Sequence, residues 1–308
     1  MRSIRTGLRV ACCGGFGYKG SMKVLVAEKC GFCPGVRAAI NLARETLAQE
    51  SKVYSLGHII HNEDVVSQLS RAGLSTVDSI DHIDAGTVLI RSHGATRAEF
   101  DEIRQKGLNI VDATCVLVKR VQKIARQLNE EGYKVVMIGD KDHPEVKAVV
   151  GSTEDVEVVA TPEDLDKIQI NKKLGVICQT TQSPDHFAHM VAAISRRGFS
   201  EMKIINTLCR ETRERQTAAV KLCRQVDVMF VLGGLHSANT RKLAELCKKH
   251  NPQTYHLQNW AEVDIKTLSG KLTAGVTAGA STPDAVIEEF VQNLEAYNPT
   301  VESKLEET

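Results

Sequence analysis

Three of the nine cysteines occupy matching places along the chain. Cys33, Cys115 and Cys209 each follow an apolar run and precede a segment whose apolar residues recur at helical spacing. Thiolates bind zinc and iron–sulfur clusters, so three cysteines that converge would suit either kind of metal centre. A four-iron cluster held by only three cysteines would leave one iron open, able to act as a Lewis acid and an electron source. The alternative is that each cysteine is a small, inert residue buried at a strand end.

A second landmark has the same spacing as these cysteines. The intervals between the three cysteines are 82 and 94 residues, and a glycine that ends the next apolar run repeats both intervals. The three glycines are Gly57, Gly139 and Gly233. Two landmarks with one spacing predict three copies of a structural unit, and this favours a shared metal centre over three unrelated core cysteines.

The elements between these landmarks predict the fold. Apolar runs of strand length alternate with amphipathic helical patterns throughout the repeat, which is typical of parallel α/β proteins. We therefore predict an α/β fold of three pseudo-repeated lobes with small, mainly parallel sheets. If these lobes surround a pseudo-three-fold axis, Cys33, Cys115 and Cys209 would meet at its centre. The predicted lobes comprise residues 22–106, 107–202 and 203–297. Residues 1–21 are predicted to be a disordered extension, and residues 298–308 a frayed tail.

Polar loops after the predicted strands supply candidate binding groups. Ligand groups in open parallel sheets come from loops at the carboxyl ends of the strands. The candidates are imidazoles, hydroxyls and an amide, each near the start of a predicted helix: His61, His93, His143, Thr180, Ser237, Asn239 and Ser281. Helix N-termini favour anions, so these groups would suit a diphosphate, although each residue alone would more often be a helix cap or a structural side chain. No GxxxxGK[ST] motif occurs, and no GxGxxG follows a strand, so nucleotide binding is not indicated.

Glu145 is the carboxylate of this group of loops. A glutamate in the first turn of a helix usually interacts with the helix dipole. Beside a metal centre that takes a small anion, it is also the natural proton donor.

The other cysteines have separate interpretations. Cys30 and Cys33 form a CxxC motif, which is typical of thioredoxin-like redox pairs, and a following helix would lower a thiol pKa. Against dithiol chemistry, only Cys33 has counterparts in the other repeats. We expect Cys178, Cys223 and Cys247 in the core, and Cys12 and Cys13 in the extension.

Composition excludes several classes of function. Lys and Arg number 39 against 38 Asp and Glu, and a net charge of +1 lacks the electrostatic footprint of a dedicated nucleic-acid or membrane-surface binder. Hydrophobic residues at 42% and charged residues at 25% are ordinary for a soluble globular protein. No apolar run approaches the roughly 18–20 residues that cross a bilayer, and the start lacks a secretory signal, so we expect a cytoplasmic location.

Nine short motifs, in order, carry a resemblance to a known family. They are GFCPGV (31–36), HIIHN (58–62), SHG (92–94), DATC (112–115), HPEV (143–146), QTT (179–181), NTLC (206–209), SAN (237–239) and GVTAGAST (275–282). Over residues 22–297 the chain resembles the 4-hydroxy-3-methylbut-2-enyl diphosphate reductase family, which catalyses the last step of the non-mevalonate isoprenoid pathway.

The resemblance implies a trefoil around one [4Fe-4S] cluster held by Cys33, Cys115 and Cys209, with the fourth iron open to substrate. It implies reductive loss of the substrate's 4-hydroxyl as water, with two electrons and two protons, to give isopentenyl and dimethylallyl diphosphates. The implied catalytic residues are Glu145 as proton donor, Thr180 and His143. The implied substrate-binding residues are His61, His93, His143, Thr180, Ser237, Asn239 and Ser281. The implied electron donor is a ferredoxin- or flavodoxin-like protein, and neither nucleic acid nor membrane is a partner.

Two positions depart from the family pattern, and two other functions stay open. Val116 stands where Pro is usual, which implies a looser start of the helix after Cys115, and Ala238 replaces a Ser, which removes one hydroxyl from the phosphate pocket. The non-enzymatic alternative is a structural zinc protein whose loops bind a partner. The third function, a CxxC thiol oxidoreductase, would require Cys30.

Overall fold

A computed structural model describes residues 22–60, 62–169, 173–235 and 237–297, without the side chain of Ala238. The predicted extension and tail, and His61, lie outside the described residues. The strands are β1 (Lys23–Val26), β2 (Val53–Leu56), β3 (Leu74–Val77), β4 (Thr87–Ile90), β5 (Asn109–Asp112), β6 (Lys134–Ile138), β7 (Val156–Val159), β8 (Lys173–Cys178), β9 (Glu201–Ile204), β10 (Val228–Leu232), β11 (Thr254–Leu257) and β12 (Thr273–Ala278).

Helices separate these strands. The α-helices are α1 (Pro34–Gln49), α2 (Glu63–Arg71), α3 (Arg97–Gln105), α4 (Val116–Glu130), α5 (Pro144–Val150), α6 (Pro184–Ile194), α7 (Arg210–Cys223), α8 (Ala238–His250) and α9 (Asp284–Ala296). Short 3-10 helices lie at Ile80–His82, Pro162–Asp166, Trp260–Glu262 and Ile265–Leu268. No helix of the described part of the chain is both long and apolar enough to cross a membrane.

The strands form three parallel sheets of four strands each. Sheet 1 has the order β3-β2-β4-β5, sheet 2 has β7-β6-β8-β9, and sheet 3 has β11-β10-β12-β1. In sheets 1 and 2 the last strand of the order, β5 or β9, comes from the start of the next repeat. In sheet 3 the equivalent place is taken by β1, from the start of the first repeat. The sheets are therefore offset by one strand from the sequence repeat. The lobe boundaries near residues 107 and 202 are predicted from the sequence repeat, and they stay a prediction.

The strand sequences explain why the sheets are buried on both faces. Every residue of β6 and of β10 is buried, as expected for central strands of a parallel sheet covered by helices. An apolar cluster packs on each face of each sheet. Cys178, Cys223 and Cys247 are buried in these clusters, which confirms that they are core residues.

The landmark glycines make one hydrogen bond that recurs in every sheet. In each case the glycine N–H donates to the carbonyl that ends the neighbouring edge strand. The pairs are Gly57 with Val77 at 2.8 Å, Gly139 with Val159 at 2.9 Å, and Gly233 with Leu257 at 2.9 Å. The predicted three-fold repeat is thus visible in the backbone hydrogen bonds.

Candidate active site

The three repeated cysteines are the N-cap residues of three helices. Cys33 begins α1, Cys115 begins α4 and Cys209 begins α7. Each backbone N–H donates to a carbonyl in the loop after another strand: Cys33 to Ala280 at 3.0 Å, Cys115 to Ser92 at 2.9 Å, and Cys209 to Thr180 at 2.8 Å. Each bond joins the loops after two neighbouring strands of one sheet, so each thiol lies at the carboxyl end of a different sheet. Helix α4 starts at Val116, although that residue is not the usual Pro and is 75% exposed.

All three cysteines line one cavity of about 320 Å³. Every candidate that lies in the described residues also lines it: His93, His143, Glu145, Thr180, Ser237, Asn239 and Ser281. Only His61, which lies outside the described residues, has no observed position. The groups that the sequence suggested from three separate repeats therefore share one site, and their individual roles stay predictions.

Glu145 is buried in the cavity wall, with 2% of its surface exposed. Its Oε1 accepts from the backbone N–H of Thr180 at 2.7 Å, and its Oε2 accepts from the Thr180 hydroxyl at 2.8 Å. Burial raises the pKa of Glu145, and the two bonds from Thr180 oppose that rise in part. A carboxyl group in this environment holds its proton to a higher pH than an exposed glutamate does.

His143 is oriented by the helix that it caps. Its Nδ1 accepts from the backbone N–H of Glu145 at 3.1 Å, so the proton of the neutral ring is on Nε2. The ring meets that of His93 edge to face, with 5.5 Å between centroids. Two imidazoles therefore lie side by side in the cavity wall.

Ser237 occupies the N-cap of α8, as a helix-start residue should. Its Oγ accepts from the Thr240 N–H at 3.3 Å and from the Thr240 hydroxyl at 3.0 Å. Because both of these bonds use its lone pairs, the Ser237 hydroxyl proton remains able to donate to a ligand.

Three other candidates are not at helix starts. The caps of α3, α6 and α9 are Thr96, Ser183 and Pro283, respectively. His93, Thr180 and Ser281 precede these caps by two or three residues. Each of these residues therefore lies near a helix start, as predicted, but the loop continues for two or three residues before the helix is capped.

A model of the LytB protein family matches residues 24–295 of the chain. The chain belongs to the LytB protein family. A relative from Trichlorobacter lovleyi is 44% identical to this LytB chain over 278 residues, which cover 90% of this chain and 99% of the relative. One from Geobacter sulfurreducens is 40% identical, over 90% of this chain and 98% of the relative. Both relatives are named 4-hydroxy-3-methylbut-2-enyl diphosphate reductase.

Two solved structures resemble the LytB chain. One is the structure of (E)-4-hydroxy-3-methyl-but-2-enyl diphosphate reductase, described as the terminal enzyme of the non-mevalonate pathway. It is 39% identical in sequence, has a TM-score of 0.71, and matches over 90% of this chain and 100% of that chain. The other structure is that of E-1-hydroxy-2-methyl-but-2-enyl-4-diphosphate reductase from Plasmodium falciparum. It is 28% identical in sequence, has a TM-score of 0.82, and matches over 89% of this chain and 88% of that chain. The predicted three-lobed α/β fold is confirmed, and the LytB chain is an enzyme.

The thiols of the LytB site have surroundings that suit a metal cluster. Burial raises the pKa of Cys33 and of Cys115, while backbone N–H groups at the starts of α1 and α4 oppose that rise. One of these N–H groups, from Val36, donates to Cys33 Sγ at 3.4 Å. Metal ligation requires the thiolate, so bound metal would remove the cost of burying this charge.

A glycine keeps open the space between the thiols of Cys33 and Cys115. Among the described residues, no three His, Cys, Asp or Glu side chains are placed to hold a single metal ion. Gly35 leaves open the space between two of the thiols: a Cβ there would be 2.8 Å from Cys115 Sγ and 3.9 Å from Cys33 Sγ. Three soft donors around a space kept clear by a glycine fit an iron–sulfur cluster.

Substitution of Gly35 by Ala should weaken cluster binding. The new methyl group would press on Cys115 Sγ, which must then move from its position beside the cluster. We expect an affinity loss of about 10–100-fold, as for other residues that orient metal ligands. Iron content and visible absorbance after anaerobic dilution measure it. Gly198→Ala is the control, because a Cβ there meets nothing within 4 Å, and equal iron retention in both variants would contradict the prediction.

Cys30 has the properties of a buried structural thiol. Burial raises its pKa to about 12, and the side chain packs against the apolar cluster of sheet 3. Because the thiolate is the reactive form, a thiol that stays protonated near neutral pH is a poor nucleophile. The geometry thus supports metal ligation by Cys33 rather than dithiol chemistry by the CxxC pair.

Sequence reasoning missed several residues of the cavity wall. Arg215, Arg241, Asp140 and Glu211 also line it, so Glu145 is not the only carboxylate there. The sequence did indicate burial of Arg215, because it lies at helical spacing from the buried Ala218, Ala219 and Leu222 on α7. The others lie on exposed or half-exposed positions that have no distinctive pattern.

Proposed function

We propose that this LytB family protein reduces (E)-4-hydroxy-3-methylbut-2-enyl diphosphate to isopentenyl and dimethylallyl diphosphates. The 4-hydroxyl leaves as water, and two electrons and two protons balance the reaction. One [4Fe-4S] cluster, held by Cys33, Cys115 and Cys209, supplies electrons and one open iron as a Lewis acid when bound. The observation that carries the proposal is the single cavity shared by three thiols, a buried acid and several neutral hydrogen-bond donors.

The wall of the cavity is suited to holding a diphosphate. The neutral ring of His143 carries its proton on Nε2, and Ser237 has a hydroxyl proton free to donate. Asn239 lies in the first turn of the 13-residue helix α8, whose N-terminus favours a negative charge. His93 and Ser281 line the same wall, and the proposal adds His61 to this set. The substrate names of the relatives support the choice of an allylic diphosphate.

Glu145 and Thr180 form the proton-delivery pair of the proposal. The Thr180 hydroxyl donates to the ionised Glu145. When Glu145 is protonated, its Oε2–H can donate to the Thr180 oxygen, and the Thr180 hydroxyl proton is then able to donate to the substrate's 4-hydroxyl. A protonated Glu145 can then deliver the proton with which that hydroxyl leaves as water. The Thr180 carbonyl also accepts from the Cys209 N–H, so the pair is fixed relative to a cluster ligand. Electrons would come from a ferredoxin- or flavodoxin-like protein, in the cytoplasm.

An anaerobic assay tests the proposed function. Protein purified without oxygen is analysed for iron, sulfide and zinc, then mixed with the diphosphate substrate and a reduced one-electron dye. We expect iron-dependent dye oxidation with formation of both isomeric diphosphates, and no reaction with the corresponding alcohol that lacks the diphosphate. Protein with stoichiometric zinc, and no turnover after iron–sulfur reconstitution, would instead support the structural zinc alternative.

Ser281→Ala should raise KM for the diphosphate and leave kcat nearly unchanged. The substitution removes one buried hydroxyl from the cavity wall, and a hydrogen bond to a charged group typically contributes about 1.5–3 kcal/mol. We therefore expect KM to rise about tenfold or more. Ser67→Ala, on the exposed face of α2, is the matched control. A fall in kcat at unchanged KM would remove Ser281 from the diphosphate site.

A further inference from the structure

Arg215 is a buried cation in the middle of α7, with 3% of its surface exposed. Its Nη1 donates to the carbonyl of Ala278 at 2.7 Å and to that of Lys29 at 3.5 Å. Its Nη2 donates to the carbonyl of Gly31 at 2.8 Å. The guanidinium thus joins α7 to the end of β12 and to the loop that leads into Cys33.

Arg215 has no carboxylate partner within ion-pair distance among the described residues. Glu211, one turn earlier on α7, ion-pairs with Lys29 at 3.2 Å instead. A buried charge without a counter-ion is costly, so a structure that retains one usually provides compensation nearby. Cys33 and Cys209 line the same cavity as Arg215, and their thiols become anionic thiolates when they bind a metal.

We propose that Arg215 is a positioning residue for the cluster: its charge compensates the thiolates and the added electron, and its hydrogen bonds fix the loop before Cys33. This inference rests on the proposed function, since it requires a bound cluster. A cation in a low-dielectric site stabilises an additional negative charge, so Arg215 makes the cluster easier to reduce. Electrostatic attraction to Cys30, Cys33, Glu211 and Cys209 opposes the fall in the pKa of Arg215 that burial causes.

A role in substrate binding fits Arg215 less well. Three of its five N–H groups already donate to backbone carbonyls, so fewer donors remain for a ligand. Arg241, in contrast, is exposed, lines the same cavity and follows the N-cap of α8 by four residues. A phosphate group entering the cavity would find Arg241 more available.

Redox titration of the bound cluster tests the proposal without relying on turnover. Arg215→Gln removes the charge, Arg215→Lys keeps it without the planar fork, and Arg213→Gln removes an exposed charge from the same helix. We expect Arg215→Gln to lower the equilibrium constant for one-electron reduction at least about tenfold, equivalent to about 59 mV. Arg215→Lys and Arg213→Gln should each stay within about threefold of the parent, since a retained or a solvent-screened charge changes little.

Each other outcome has a defined meaning. If Arg215→Gln keeps the parent potential and only lowers the thermal stability of metal-free protein, Arg215 merely fastens the lobes, and the inference is overturned. An unchanged potential with a raised KM would make it a substrate contact, which also overturns it. Should Arg215→Gln be insoluble, Arg215→Lys still decides, because a change of more than about threefold in the equilibrium constant for reduction in this charge-retaining variant contradicts a role of charge. A parent protein that binds no cluster would refute the proposed function itself.

Discussion

Glu145→Gln should retain the cluster and bind substrate nearly normally, while turnover falls about 10²–10⁴-fold, the usual contribution of a positioned acid. Gln has the shape of Glu but cannot deliver a proton. In the buried site its carbonyl can still accept from the Thr180 N–H, so the local fold should persist. Its amide can donate to the Thr180 oxygen, as the protonated carboxyl of the parent would, so the variant keeps this contact without a proton that it can transfer.

The pH profile gives an independent check on Glu145. Burial raises the pKa of its carboxyl, so the acid form persists to higher pH. A rate that needs this proton is highest below that pKa and falls as pH rises through it, and the limb should disappear in the Gln variant. Glu130→Gln, at the exposed end of α4, is the control for loss of a carboxylate. Near-normal kcat in Glu145→Gln, with iron content verified, would leave Glu145 as a helix-start residue only.

Replacement of Cys33, Cys115 or Cys209 by Ser should each abolish stable cluster binding. The cavity has one thiol per repeat, and a hydroxyl is a much poorer ligand for iron than a thiolate. Loss of any one ligand therefore leaves two, with no described cysteine in the cavity wall to replace it. Iron and sulfide analysis with visible absorbance, after anaerobic purification, measures the effect.

Cys30→Ser is the matched control for these three variants. Cys30 is three residues from Cys33, but its buried thiol is not among the residues that line the cavity. We expect iron content close to that of the parent. A Cys30 variant that loses iron as completely as the Cys33 variant would restore the dithiol or alternative-ligand interpretation.

The three cysteines could be predicted because their equivalence is a property of spacing along the sequence. Strand ends and helix starts follow from local periodicity, so the loops that carry His143 and Ser237 could be predicted in the same way. The hydrogen bonds between Thr180 and Glu145 could not, because these residues lie in loops whose contact depends on how strands β6 and β8 pair. Burial of Arg215 depends on packing between the first and third repeats, which local periodicity indicates only weakly.

The pairing of β1 with β12 determines when the site can form during synthesis. Lys23 pairs with Thr273, and the Cys33 N–H donates to the carbonyl of Ala280, so the first cysteine is positioned by residues about 250 positions later. A ribosome makes a chain from its N-terminus, and contacts of such high sequence separation form late and slowly. The thiol of Cys33 is therefore made first among the three but reaches its position last. In the proposed enzyme, all three cysteines could therefore hold a cluster only after the residues near Ala280 have been made and have folded against β1.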